Sequence, residues 1–221
     1  EQKLLHKNFK YAILILIRYL LTLSFLWVLS KHTIVKLEEY NMDFNLTKEQ
    51  ELIRKSLREF TEEVVKPIAA ETDRLEQYPA DTIDQLFRYG VMGMCVPKEY
   101  GGAGADDISA AIVVEELSKQ CASTGDIVAT HNGLCCGPII NFGTDEQKKK
   151  YLPQLCNGKV GAFALTEPNA GSDASKGTTV CEDKGDHWVM NGSKIFITNG
   201  YVADIFVVFA MTDPSKGTKG I

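Results

Sequence analysis

Several chemistries are excluded by what this 221-residue sequence does not contain. Its six cysteines (Cys95, Cys121, Cys135, Cys136, Cys156, Cys181) form no C-x-x-C, which disfavours a zinc site. Its four histidines (His6, His32, His131, His187) are too scattered to suggest a metal cluster, so no metal is expected. There is no H-E-x-x-H, no G-x-S-x-G and no Walker A loop. Gly101-Gly102-Ala103-Gly104 starts like a dinucleotide loop but completes no G-x-G-x-x-G, and it reads as a flexible connection. No internal repeat or low-complexity tract is present. Positive charge is scarce as well. The net charge is -5, and residues 1–41 hold six Lys/Arg against three Asp/Glu, leaving 18 against 26 in the remainder. An acidic body of that kind argues against a nucleic-acid surface.

What is present belongs to a folded globular protein: 44% hydrophobic and 24% charged residues, enough for one or two domains with their own cores. Reduced thiols in a cytoplasmic protein are the simplest account of the cysteines. The adjacent Cys135-Cys136 lies in an apolar run, where thiols are inert packing. Residues 11–29 form an apolar run about as long as a membrane span, but Arg18 near its centre is expensive there. No methionine precedes Met42. Residues 1–41 are therefore read as upstream sequence or a gene-assignment artefact, with a membrane anchor at 11–29 as the alternative.

From Met42 the pattern is helical. Thr47-Lys48-Glu49-Gln50 has capping-box spacing, and Ile53, Leu57, Phe60 and Val64 follow on one face. Pro67 is expected to kink or end this helix. A second helix carries Ile83, Leu86 and Phe87 and stops at Gly90, and a third carries Ala110, Val113, Val114 and Leu117. Residues 123–142 read as a buried central helix, and Thr144-Asp145-Glu146-Gln147 is a second capping box. Beyond Pro153 the pattern changes. Residues 178–182, 187–190, 194–198 and 205–212 read as strands, with breaks at Lys184-Gly185 and Asn191-Gly192, the Asn-Gly pair being the stronger hairpin signal. The expected class is α+β: an all-helical domain over 42–159, then an antiparallel β-domain over 160–221 that is incomplete.

The most informative stretch runs Phe163-Ala164-Leu165-Thr166-Glu167-Pro168-Asn169-Ala170-Gly171-Ser172-Asp173, a short apolar strand entering a turn. Such a turn presents backbone N–H groups and hydroxyls toward one bound group. Two further segments flank it: residues 142–152, Phe142-Gly143-Thr144 through Tyr151-Leu152, and residues 190–200, which include Lys194-Ile195-Phe196-Ile197-Thr198-Asn199-Gly200. In this order and at these intervals, the three segments resemble the acyl-CoA dehydrogenase family. The resemblance covers residues 42–221 and is nearest to the bacterial short-chain, butyryl-CoA type.

That resemblance implies FAD as cofactor, because no side chain accepts a hydride. By the family's pattern, Phe163, Ala164, Leu165, Thr166, Gly171 and Ser172, with Phe196, Ile197 and Thr198, line the flavin. Thr166 and Thr198 would offer hydroxyls, and Leu165 and Ile197 backbone groups, to its polar edge. Phe196 stands where the family usually carries tryptophan, and Ser172 is expected near the flavin pyrophosphate and the acyl-CoA substrate. The family's catalytic base is a glutamate of a C-terminal helical domain, beyond residue 221, so no catalytic residue is assigned and the piece alone is expected to be inactive. Glu167 reads as a structural carboxylate and His131 as a satisfied core histidine. The implied reaction is α,β-dehydrogenation of a short-chain acyl-CoA in fatty acid metabolism, passing electrons to an electron-transfer flavoprotein. The implied assembly is a homotetramer when complete. A same-fold flavin oxidase, or a flavin-free module, is the alternative.

Overall fold

The computed structural model describes residues 44–221. The chain divides into two units at Asn45/Leu46, and every element below belongs to the second. The expectations for residues 1–41, including the apolar run 11–29, lie outside the described residues.

Helix α1 spans Lys48–Phe60 and opens on the expected box: Thr47 Oγ1 accepts from Gln50 N at 3.2 Å, while Gln50 Oε1 accepts from Thr47 N at 2.9 Å. Ile53, Leu57 and Phe60 pack against the core. Pro67 does not interrupt the run. A π-turn at Thr61–Val65 widens the helix, and Pro67 falls in the first turn of α2, Lys66–Leu75, where no intrahelical N–H is needed.

Helix α3, Ala80–Arg88, ends just before Gly90, whose φ is +71°. The glycine run after it is not a flexible connection. Gly104 N donates to Val96 O at 2.9 Å, and a Cβ on Gly102 would lie 2.0 Å from that same carbonyl oxygen. Helix α4, Asp107–Ser118, is capped by Asp106, whose second carboxylate oxygen accepts from Gln50 Nε2 at 2.9 Å. Buried Glu116 on α4 binds Arg58 of α1 through two bonds of 2.9 and 3.2 Å.

The central helix runs in three parts: α5, Ala122–Ala129; a π-turn, Thr130–Cys136; and α6, Gly137–Phe142. The π-turn buries two polar side chains. Asn132 Oδ1 accepts from Gly93 N at 2.8 Å and its Nδ2 donates to Val91 O at 3.0 Å. His131 faces the opposite partners, described below. Helix α7, Asp145–Cys156, opens on the second capping box, with Thr144 Oγ1 accepting from Gln147 N at 3.2 Å.

Two core clusters result. One joins Val65, Ile83, Leu86, Val113, Leu117 and Val128; the other joins Val96, Cys135, Cys136, Leu152 and Leu155. All six cysteines are free, and burial pushes the Cys135 thiol up to about 11 and the Cys136 thiol higher still. Cys135 and Cys136 act as packing, as expected.

A small β unit follows the helices, with a topology the sequence reading did not contain. Strand β1, Gly161–Ala164, pairs in parallel with β4, Ile205–Val208, in the register Gly161↔Ile205. Strands β2, Val180–Asp183, and β3, Trp188–Asn191, form the antiparallel hairpin. The hairpin turn lies at Gly185 (φ +91°), not at Asn191-Gly192. Gly192 serves a different purpose: a Cβ there would sit 2.3 Å from Thr179 Oγ1, so the chain passes too close for a side chain. The expected strand at 194–198 is absent, and the segment is irregular.

Candidate functional site

Strand β1 hands the chain to a tight turn in which Glu167 and Ala170 exchange two backbone bonds of 3.1 Å. The Glu167 side chain points inward, only 3% exposed. Its carboxylate accepts from Thr178 N at 2.5 Å, Thr178 Oγ1 at 2.9 Å, Thr179 N at 3.0 Å and Lys194 Nζ at 2.7 Å. Burial pushes its pKa up, but these donors, Lys194 foremost, outweigh it and hold the carboxyl well below the usual carboxylate range. Glu167 is thus a fixed structural anion, as its place in a turn suggested.

Lys194 carries this network across to the second segment. Its ammonium also donates to Leu165 O at 2.9 Å, and Ile195 N donates to Thr166 O at 3.0 Å. Four residues after Ile195, Asn199 is pinned: its Nδ2 donates to Gly161 O at 3.0 Å and to Ile127 O at 3.3 Å. Residues 196–198 therefore form an arch, tied to the first segment at one foot and to β1 and α5 at the other. Phe196 on the arch has φ +55° and is 89% exposed, and Asn199 at its end has φ +65°. Left-handed backbone at a bulky residue costs on the order of 1–3 kcal/mol and persists only where the surroundings hold it. The two feet supply that hold.

Of the nine residues expected to line a cofactor, Leu165 and Thr166 are tied directly to the second segment, through Lys194 and Ile195. Leu165, Thr166, Gly171 and Ser172 follow β1, while Phe196, Ile197 and Thr198 form the arch. Phe163 and Ala164 sit within β1 itself, with Ala164 buried and the Phe163 ring edge-on to Phe209 at 5.1 Å between centroids. Thr198 Oγ1 donates to Asp126 Oδ2 at 3.0 Å, which leaves its lone pairs as the outward-facing function. Among the described residues, the backbone N–H groups of Ile197 and Thr198 have no partner. An exposed aromatic ring beside two unpartnered N–H donors and two hydroxyls suits the polar edge of a flat heterocycle. Ile197 also forms one wall of an open groove of about 900 Å³ shared with α2, the start of α5 and Tyr201.

Asp126 escaped the sequence reading, and so did the bonds made by Lys194 and Asn199, which it held only as members of residues 190–200; His131 is the satisfied core histidine it expected, with both ring nitrogens bonded. Asp126, Lys194 and Asn199 are lone polar residues in mixed runs, where pattern carries no signal. Only the Asn-Gly pair closing residues 190–200 hinted at a left-handed position. Among the described residues no cluster of His, Cys, Asp or Glu is arranged to hold a metal ion. No helix among them is long and apolar enough to cross a membrane.

Comparison with known proteins gives two family matches: "Acyl-CoA dehydrogenase, N-terminal domain" over residues 47–159 and "Acyl-CoA dehydrogenase, middle domain" over 162–221. A short-chain specific acyl-CoA dehydrogenase of Clostridium acetobutylicum is 59% identical over 181 residues, which is 81% of this chain and 48% of that protein. A chain in a solved structure of the electron transferring flavoprotein of Acidaminococcus fermentans matches with TM-score 0.78 and 49% identity, covering 81% of this chain and 47% of its own length. Butyryl-CoA dehydrogenase from Megasphaera elsdenii matches with TM-score 0.75 and 45% identity, covering 80% of this chain and 47% of its own. The chain thus spans about half the length of the relatives it matches.

Proposed function

Because this chain belongs to the acyl-CoA dehydrogenase family, we propose that it provides the helical domain and one flavin-lining face of an FAD-dependent short-chain acyl-CoA dehydrogenase. The reaction is α,β-dehydrogenation of a butyryl-CoA-like thioester, with electrons delivered to an electron-transfer flavoprotein and the complete protein a homotetramer in the cytoplasm. The short-chain assignment is supported by the 59% identical Clostridium acetobutylicum relative.

The observation that carries the flavin reading is the arch at residues 196–198, held against residues 163–172 by Lys194, Ile195 and Asn199. The flavin supplies the hydride acceptor that no side chain provides. The protein's share is placement. Phe196 offers its ring, Ile197 and Thr198 their N–H groups, and Thr166 and Thr198 their hydroxyl oxygens, while Ser172 and Gly171 stand at the exposed end of the turn. Glu167 does not act as the base in this reading. Its oxygens are saturated by four donors, and it is buried beneath the face rather than on it.

The test is a hybrid in which residues 46–221 are joined to the second half of the Clostridium acetobutylicum relative. It should purify yellow, bleach on butyryl-CoA and recover colour with an electron-transfer flavoprotein. A colourless hybrid that nonetheless folds would defeat the flavin reading, and rapid recovery in air alone would favour an oxidase.

A further inference from the structure

The geometry points to His131 and Asn199 as positioning residues that set the spacing of the two flavin-lining segments by gripping opposite sides of one peptide position, Gly161. Gly161 N donates to His131 Nδ1 at 3.0 Å, and Gly161 O accepts from Asn199 Nδ2 at 3.0 Å. Since Nδ1 accepts, the imidazole proton sits on Nε2 and is donated to Leu155 O at 3.0 Å, one of the last carbonyls of α7. The histidine is fully buried, with Phe87 edge-on to its ring at 5.7 Å between centroids.

The grip is tight on all sides. A Cβ on Gly161 would lie 2.5 Å from Cys135 Sγ, so β1 begins hard against the central helix. Asn199 adds the bond to Ile127 O at 3.3 Å, which brings α5 into the same clamp. One histidine thus places the strand that leads into residues 163–172, and one asparagine places the end of the arch at residues 196–198. Both meet at the same residue. The ladder between β1 and β4 begins at Gly161, and Val160 N donates to Asp204 Oδ2 at 3.1 Å, but neither reaches back to residues 196–199; there the clamp ties the arch to β1, as Lys194 and Ile195 tie it at the other end.

The flavin reading enters only in what the two segments hold; the clamp is tested without it. Amide hydrogen exchange on the full 221-residue chain compares four proteins: the parent, His131→Leu, His131→Gln and Asn199→Gly. Leucine removes both histidine bonds, whereas glutamine keeps an acceptor and a donor on one planar group. Glycine keeps the left-handed backbone of position 199 and removes only its side-chain bonds. His131→Leu and Asn199→Gly should each speed exchange at least tenfold at the bonded amides beside the clamp, Gly200, Ala203 and Asp204, while leaving α4 unchanged, and His131→Gln should restore parental rates within about threefold. Unchanged rates in Asn199→Gly, acceleration spread equally into α4, or no rescue by glutamine would each overturn the assignment. A parallel FAD titration by fluorescence keeps the two ideas separate. The expected exchange pattern with no flavin bound by any variant upholds the clamp and counts against the flavin reading alone.

Discussion

Replacing Glu167 by glutamine is the sharpest perturbation of the network beneath the site. The carboxylate is 3% exposed and accepts from Thr178, Thr179 and Lys194, whose own side chain is only 12% exposed. Glutamine has nearly the same shape but turns one oxygen into a donor. That donor must face either the Lys194 ammonium or a backbone N–H, and the ammonium loses its counter-charge. Removing one partner of a buried ion pair costs about 3–5 kcal/mol. Lys194 keeps its bond to Leu165 O, so the lower end, about 3 kcal/mol, is expected. For a unit of this size about 1 kcal/mol moves the melting temperature by roughly 2–4 °C, giving a drop of roughly 6–12 °C. Thermal unfolding followed by circular dichroism reads this directly. In a Lys194→Met background the same substitution should cost at least about 1 kcal/mol less, because the stranded charge is gone. A single-variant shift below about 2 °C, or strict additivity in the cycle, would refute the reasoning.

Other outcomes follow from the same geometry. His131 is held down to about 4 by burial, well below its ordinary 6.5. The unfolded chain therefore takes the proton first as pH falls, and stability should decline between pH 6.5 and about 4 by up to about 3 kcal/mol. His131→Gln should flatten that window in urea titrations; an unchanged slope would count against a neutral buried imidazole. Glu116 is held down to about 2, chiefly by Arg58, so its contribution is present above pH 4.5 and lost between there and about 2. Arg58→Met should raise that acid midpoint. In the hybrid protein, Thr198→Val removes the hydroxyl and its bond to Asp126, so flavin spectra should change and reduction slow, at a cost of about 0.5–1.5 kcal/mol rather than unfolding. An unchanged flavin spectrum in that variant would show that Thr198 lies off the site. Phe196→Gly should leave the melting temperature unchanged or raised, because glycine tolerates the +55° backbone, while weakening flavin retention. A large fall in melting temperature would mean that the exposed ring packs after all.

Local signals carried furthest in the sequence. Both capping boxes are present because an i,i+3 exchange between Thr47 and Gln50, or Thr144 and Gln147, needs only four residues and no tertiary partner. The apolar stripes of α1 and α4 likewise mark their buried faces. Non-local geometry did not show. Strand β1 pairs in parallel with β4, more than 40 residues away, and nothing in either short strand announces that direction. Residues 194–198 are rich in β-branched and aromatic side chains, yet the bonds from Lys194, Ile195 and Asn199 bend them into an arch instead. Strand propensity is weak beside such tertiary ties. The break read at Lys184-Gly185 is the hairpin turn, whereas Asn191-Gly192 misled: its glycine is needed for clearance from Thr179. Of the site, the apolar and hydroxyl residues were legible as a spaced motif. The bonds of the buried polar residues that hold them were not: His131 was legible as a core histidine, but nothing in the sequence told that it binds Gly161, or that Asn199 does.

The central claim is that residues 163–172 and the arch at 196–198 together form a flavin-holding face. Flavin absorbance of the hybrid protein, compared with its Phe196→Gly, Thr198→Val form, tests it most directly. The account predicts a bound yellow cofactor in the parent and a shifted spectrum with substantial loss of flavin in the double variant. Equal flavin content and identical spectra in the two folded proteins would contradict it.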